Sequence, residues 1–161
     1  MRTIGIAVRS ILVLAIALFA GGAVAQQRPS YGPTVNLEAA KKMAVTAAAE
    51  ARRNGWPVAI AIVDNHGMLI YYEMMDDTQT SSATIAIEKA KTAAMFRRPS
   101  KAFEDAVAGG RQAILGLPGV TPIDGGLPIM VAGRVAGGIG VSGVNSDQDA
   151  TVARAGLEAL K

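Results

Sequence analysis

Between residues 82 and 96 the chain repeats alanine at helical spacing, with Ala83, Ala86, Ala90 and Ala93 on one face of "SATIAIEKAKTAAMF". A core-facing helical stripe ordinarily carries leucine or isoleucine. Alanine leaves the face shallow, and a close-packed molecule must fill that space. Two things can: the backbone of a neighbouring element, or a flat ligand. Glu88 and Thr92, four residues apart with Lys91 beside them, form a separate polar stripe. Lys89, Lys91, Arg97 and Arg98 crowd round the alanines. Cations at a helix end suit the helix dipole and can pair with carboxylates.

The rest of the chain has regular punctuation. Asn36 is a good N-cap, and "LEAAKKMAVTAAAEARRN" carries Leu37, Ala40, Ala44, Ala47 and Ala51 on one face before Gly55 stops it. "PVAIAIVD" then changes period to that of a strand buried on both faces, and Asp64-Asn65-His66-Gly67 is turn chemistry leading to a return strand over 68–75. Ser81 or Ser82 can cap the alanine helix, and Pro99 ends it, with a short second helix from about Ser100 to Gly109-Gly110. "LPGVTPIDGGLP" reads as loop. "PIMVAGRVAGGIGVSG" reads as two strands round Ala132-Gly133-Arg134, and Ser146, with Asp149 three residues on, as the cap of a closing helix. In that helix Val152, Ala155, Leu157 and Leu160 are expected to face the core. The order helix, hairpin, helices, hairpin, helix is that of an α+β domain, an antiparallel sheet with helices packed on it.

The ends bear on localisation. Arg2 and Arg9, the apolar run "ILVLAIALFAGG" and Ala23-Val24-Ala25 have the form of a cleaved secretory signal over residues 1–25. Periplasmic or secreted location follows as an expectation, with no stable membrane span after cleavage. Residues 26–35 read as a flexible leader, and the domain as 36–161. Two of sixteen basic residues leave with the signal, so the mature chain holds 14 against 13 acidic, net +1. That balance argues against nucleic acid as a partner. The absence of cysteine excludes disulfides, thiolate metal sites and cysteine nucleophiles.

The residues that could carry chemistry are few. His66 is the single histidine, so no zinc site forms around it alone. With Met68, Met74 and Met75 nearby it is at most a weak metal candidate, and alternation prevents Met74 and Met75 from facing one ion. No nucleophile elbow accompanies it. Gly125-Gly126 and the glycines of "AGGIGVSG" are not followed at once by a helix, which favours tight turns and close strand packing over a phosphate loop.

"VDNHGMLIYYEMMDD", "IAIEKAKTAAMFRRPSKAFE", "LPGVTPIDGGLPIMVAGRVAGGIGVSG" and "DQDATVARAGLEAL" together resemble the successive signatures of the GlcG/HbpS-type haem-binding family, which is related to the C-terminal domain of PduO cobalamin adenosyltransferases. The resemblance spans about residues 36–161. It implies a profilin-like α+β single domain with an antiparallel sheet of about five strands flanked by helices. It also implies assembly into homo-oligomers from dimers to octamers, and haem as the ligand of some members. Lys89, Ala90, Thr92 and Ala93 match the family's K-A-x-T-A helix, and Gly125, Gly126 and Pro128 its GG-P signature. His66, in its hairpin turn, matches no axial histidine of related domains.

The reading that follows is an exported, oligomeric binder of haem or a similar planar carboxylated ligand, serving haem or redox sensing. Its expected site is a cleft along residues 82–98, with Lys91, Thr92, Met95, Arg97, Arg98, Gly125 and Gly126 as the binding set. Two alternatives stay open. One is a lyase or isomerase of an organic acid, held by the Gly125-Gly126 backbone with Asp124 or Glu88 moving protons. The other is a structural module whose alanine faces are subunit contacts.

Overall fold

The computed structural model describes residues 27–160, which form four strands and four helices. The expected signal peptide lies outside the described residues. In chain order the elements are α1 (Leu37–Asn54), β1 (Ala59–Asp64), β2 (Leu69–Met74), α2 (Ser82–Phe96), α3 (Lys101–Ala108), a 3-10 turn (Gln112–Gly116), β3 (Gly126–Val131), β4 (Arg134–Ser142) and α4 (Ser146–Glu158). The sheet runs β2-β1-β4-β3 with every neighbour antiparallel. Four strands stand where about five were expected.

Local chemistry accounts for the boundaries. Asn36 accepts from the Ala39 amide at 2.8 Å, and Gly55 in the left-handed region at φ 67° returns its N–H to Ala51 and Arg52. The Asp64 carboxylate accepts from the amides of His66 and Met68, both at 2.8 Å, and so closes the first hairpin. Ala132 and Gly133, at φ 48° and 73°, turn the second. The cap of α4 is Asn145 rather than Ser146, its amide donating to Gln148 Oε1 at 3.2 Å. Asp149 turns inward, its Oδ1 accepting from the Val144 amide at 3.2 Å. Ser81 occupies the cap position of α2 without a hydroxyl hydrogen bond.

The sheet separates two layers. On one face Ile60, Ile62, Ile129, Ile139 and Val141 pack with Met43, Ala44, Ala47 and Val152 of α1 and α4. Burial of each Ile, Val or Met side chain here contributes about 1.5–3 kcal/mol. On the other face Ala59, Ala61 and Val63 meet Ala86, Ala90 and Ala94 of α2. The alanine face of α2 is closed by the chain's own sheet. A Cβ on Gly138 would collide with the Ala90 carbonyl, one on Gly140 with that of Ala86, and one on Gly126 with that of Lys89. Glycine on the strands and alanine on the helix are thus complementary halves of one close contact. The cleft expected along that face is absent because backbone fills it.

The leader also differs from expectation over residues 30–35. Val135 N–H donates to Ser30 O, Gly32 N–H to Val135 O and Val35 N–H to Ala136 O, all at 2.9 Å, and Tyr31 forms a parallel bridge to Val135. β1 pairs only with residues 137–142 of β4, so residues 135 and 136 have free backbone groups that this segment satisfies.

Candidate functional site

Helix α2 presents two sides with opposite chemistry. Inward, the Lys89 ammonium donates to Asp149 Oδ2 at 2.9 Å and to Val141 O at 3.1 Å, with both side chains only 2 % exposed. Burial pushes the Asp149 carboxyl up; the hydrogen bond and charge of Lys89, and the amides of Val144 and Gly143, oppose it. A Cβ on Gly125, at φ 112°, would stand 2.9 Å from the Lys89 ammonium and 2.8 Å from Val141 O. Only glycine leaves room for that ion pair.

The Gly125-Gly126 loop is spent on the fold. Its two amides donate to Asp124 Oδ1 at 2.7 Å and to Ser100 Oγ at 2.9 Å. Asp124 N–H in turn donates to Glu104 Oε2 at 2.6 Å. A carboxylate held by this backbone, as the enzyme alternative requires, would have to displace both partners. Thr92 is also internal: its hydroxyl donates to Gly119 O at 3.2 Å and accepts from the Thr121 amide at 2.8 Å. It ties α2 to the loop before β3. The K-A-x-T-A and GG-P signatures therefore meet in space as one buried lock.

Outward, the last turn of α2 meets the first hairpin. A Cβ on Gly67 would lie 2.9 Å from Met95 Sδ and 3.4 Å from Lys91 Cγ, so the turn rests directly on these two side chains. Beside them His66 is 82 % exposed at its side chain, Met68 68 % and Met95 46 %. Lys91 donates to Glu88 at 2.8 Å. Tyr31, from the segment before α1, donates its hydroxyl to Met95 O at 2.6 Å. Arg97 ends α2 at φ 56°, a region where glycine is usual. That conformation sets its guanidinium 5.2 Å from the Tyr31 ring centroid and lets it donate to Pro29 O at 3.3 Å. Asn65 donates to Gly32 O at 2.7 Å, fastening the hairpin turn to the same segment.

Of the expected binding set, Lys91, Met95 and Arg97 come together at this corner, with His66 beside them. Arg98 turns toward α3 and stacks 3.8 Å from the Phe103 ring centroid. Thr92, Gly125 and Gly126 lie inside. Sequence reasoning missed Tyr31 and Arg28, whose guanidinium donates to Phe96 O at 3.0 Å. An aromatic and a cation just ahead of the Asn36 cap were the available signal. Among the described residues no group of three His, Asp, Glu or Cys side chains could hold a metal ion; His66 has only Asp64 Oδ2, at 4.0 Å from its Nδ1, beside it.

The corner fits haem on donor chemistry. Imidazole and thioether are both axial ligands of haem iron, Met68 and Leu69 add accessible apolar surface, and Arg97 supplies a cation with no carboxylate partner among the described residues.

Known proteins share this architecture. The chain is 43 % identical over 93 residues to Protein GlcG of Escherichia coli K12, covering 58 % of this chain and 69 % of that protein. The crystal structure of a double mutant of Streptomyces reticuli HbpS superimposes with a TM-score of 0.75 at 28 % identity, covering 100 % of this chain and 99 % of that one. That of a PduOC:heme complex does so with a TM-score of 0.71 at 26 % identity, covering 78 % of this chain and 94 % of that one. The model of the family described as "Haem degrading protein HbpS-like" matches residues 35–158, and the chain belongs to the HbpS-like family.

Proposed function

We propose that the mature protein is an exported haem-binding protein of haem or redox sensing. In this reading His66, Met68, Lys91, Met95 and Arg97, at the outward corner of α2, would hold the haem. The observation that carries the placement is the contact of the Gly67 turn with Met95 and Lys91, which brings the only imidazole, a thioether and cations to one exposed surface. Support for haem itself comes from membership of the HbpS-like family and from likeness to a haem-complexed structure. Bound haem would supply a redox-active iron. The protein's own part would be to hold the iron through the His66 imidazole or the Met95 thioether, to pair propionates with Arg97 and Lys91, and to cover the ring. One open corner covers one side of a ring, so a second copy in a homo-oligomer, from dimer to octamer, would cover the other. Among the described residues no helix is long and apolar enough to cross a membrane.

The test is a haem titration followed by absorption. A saturable Soret shift is expected, with its position altered in His66→Ala or Met95→Ala and its affinity lowered in Arg97→Gln. Unchanged spectra at equimolar haem would defeat the reading. Export is tested by the mass of protein recovered from the periplasm, expected to begin at Gln26.

A further inference from the structure

Among the described residues Arg98 is the one cationic side chain with a buried nitrogen left unpaired. Its Nε is buried and has no hydrogen-bond partner. The guanidinium plane is held by the Phe103 ring, itself fixed edge-on by Phe96 at 5.2 Å between centroids. Arg28 is fastened to the same place through the Phe96 carbonyl. Arg111 follows α3, its amide donating to Ala106 O at 2.9 Å. Burial first, then the charges of Arg28 and Arg111, lower the Arg98 pKa, in keeping with the grouping of Arg28 and Arg98 about Phe96 and Phe103.

None of the three has a carboxylate in ion-pair range among the described residues, whereas Arg52, Arg53 and Lys91 each have one and Lys101 has two. The two acids of α3 are already engaged: Glu104 accepts from the Asp124 amide and pairs with Lys101, and Asp105 also pairs with Lys101. Mutually repelling cations with a buried, unmade N–H are costly unless an anion joins them. Guanidinium forks match planar carboxylates in bidentate geometry.

We propose that Arg28 and Arg98 form a carboxylate clamp at the junction of α2 and α3, with the charge of Arg111 reinforcing it. The clamp goes beyond the haem reading and does not need it. It would hold a propionate if haem is the ligand, and the carboxylate of a free organic acid otherwise.

The experiment uses the full mature chain with 15N-labelled arginine, following the Arg98 Nε–Hε resonance while malonate is added. A saturable shift is expected that sodium chloride of equal ionic strength does not reproduce. Arg28→Gln should weaken it about tenfold, the loss of one charge-assisted hydrogen bond, and Arg111→Gln by less. Both side chains are exposed, so unchanged thermal unfolding would show that the fold is intact. In a parallel arm the same variants are titrated with haem and with haem dimethyl ester. Weakened binding of haem, with the ester unaffected, assigns the clamp to propionates; a response to malonate alone assigns it to a free acid. If chloride matches malonate and haem affinity ignores both substitutions, the clamp is refuted, even where haem binds.

Discussion

Lys89 and Lys91 stand two residues apart on one helix, about 200° apart round its axis, and meet opposite fates. Lys89 is sealed between α2, β4 and α4, where its charge is matched by Asp149 and its space is set by Gly125. Lys91 lies half-open, its charge met by Glu88 three residues before it, with Met95 and the hairpin turn as neighbours. A buried charge is fixed by the fold and does nothing else, because moving it leaves a partner uncompensated in low dielectric. An open charge keeps freedom to pair with something that arrives. The inward side of α2 builds the domain, and the outward side is where function has room.

The contrast can be broken first at Asp149. Asp149→Ala strands the Lys89 ammonium and should cost about 3–5 kcal/mol in denaturant unfolding, while Lys89→Met with Asp149→Leu should recover most of that loss. A small effect of the single change would mean that Lys89 reaches water. Next, Thr92→Val removes two hydrogen bonds of the buried lock at constant shape. About 1–2 kcal/mol of stability should go, with faster amide exchange at residues 119–121. Arg97→Gly should do the reverse of a normal surface change. It relieves a positive φ and should stabilise by up to about 1 kcal/mol, offset in part by glycine's entropy, yet it should weaken haem binding. Such a gain in stability with a loss of affinity is what a strained functional residue predicts. Smallest of all, Met95→Ala on the open side should move stability by no more than about 0.5 kcal/mol while shifting the haem spectrum. A large loss of stability there would place Met95 in the core and erase the distinction.

Much of the fold was legible in the chain because its signals are local. Asn36 and Gly55 bound α1 as expected, Pro99 follows the end of α2, and the Asp64–Gly67 and Ala132-Gly133 turns make the two hairpins. The glycines of β4 also do what close strand packing required. The site was less legible. Thr92 and Lys89 look on paper like polar residues beside a groove, but their partners, Thr121 and Asp149, lie 29 and 60 residues away. Asp149 was expected to complete a capping box with Ser146 at the start of α4, and Tyr31 was counted within a flexible leader. In each case the deciding contact joins segments that no short-range pattern connects.

By itself the sequence determined the elements, their order, the α+β class and the presence of a face on α2 too shallow for its own side chains to fill. Periodicity and turn chemistry act within a few residues and need no knowledge of the whole. Only the tertiary structure decided what fills that face, because Gly126, Gly138 and Gly140 are brought beneath the helix by strand pairing. It likewise chose which cations are locked in and which stay open, since burial belongs to the packed assembly of elements and not to any one of them.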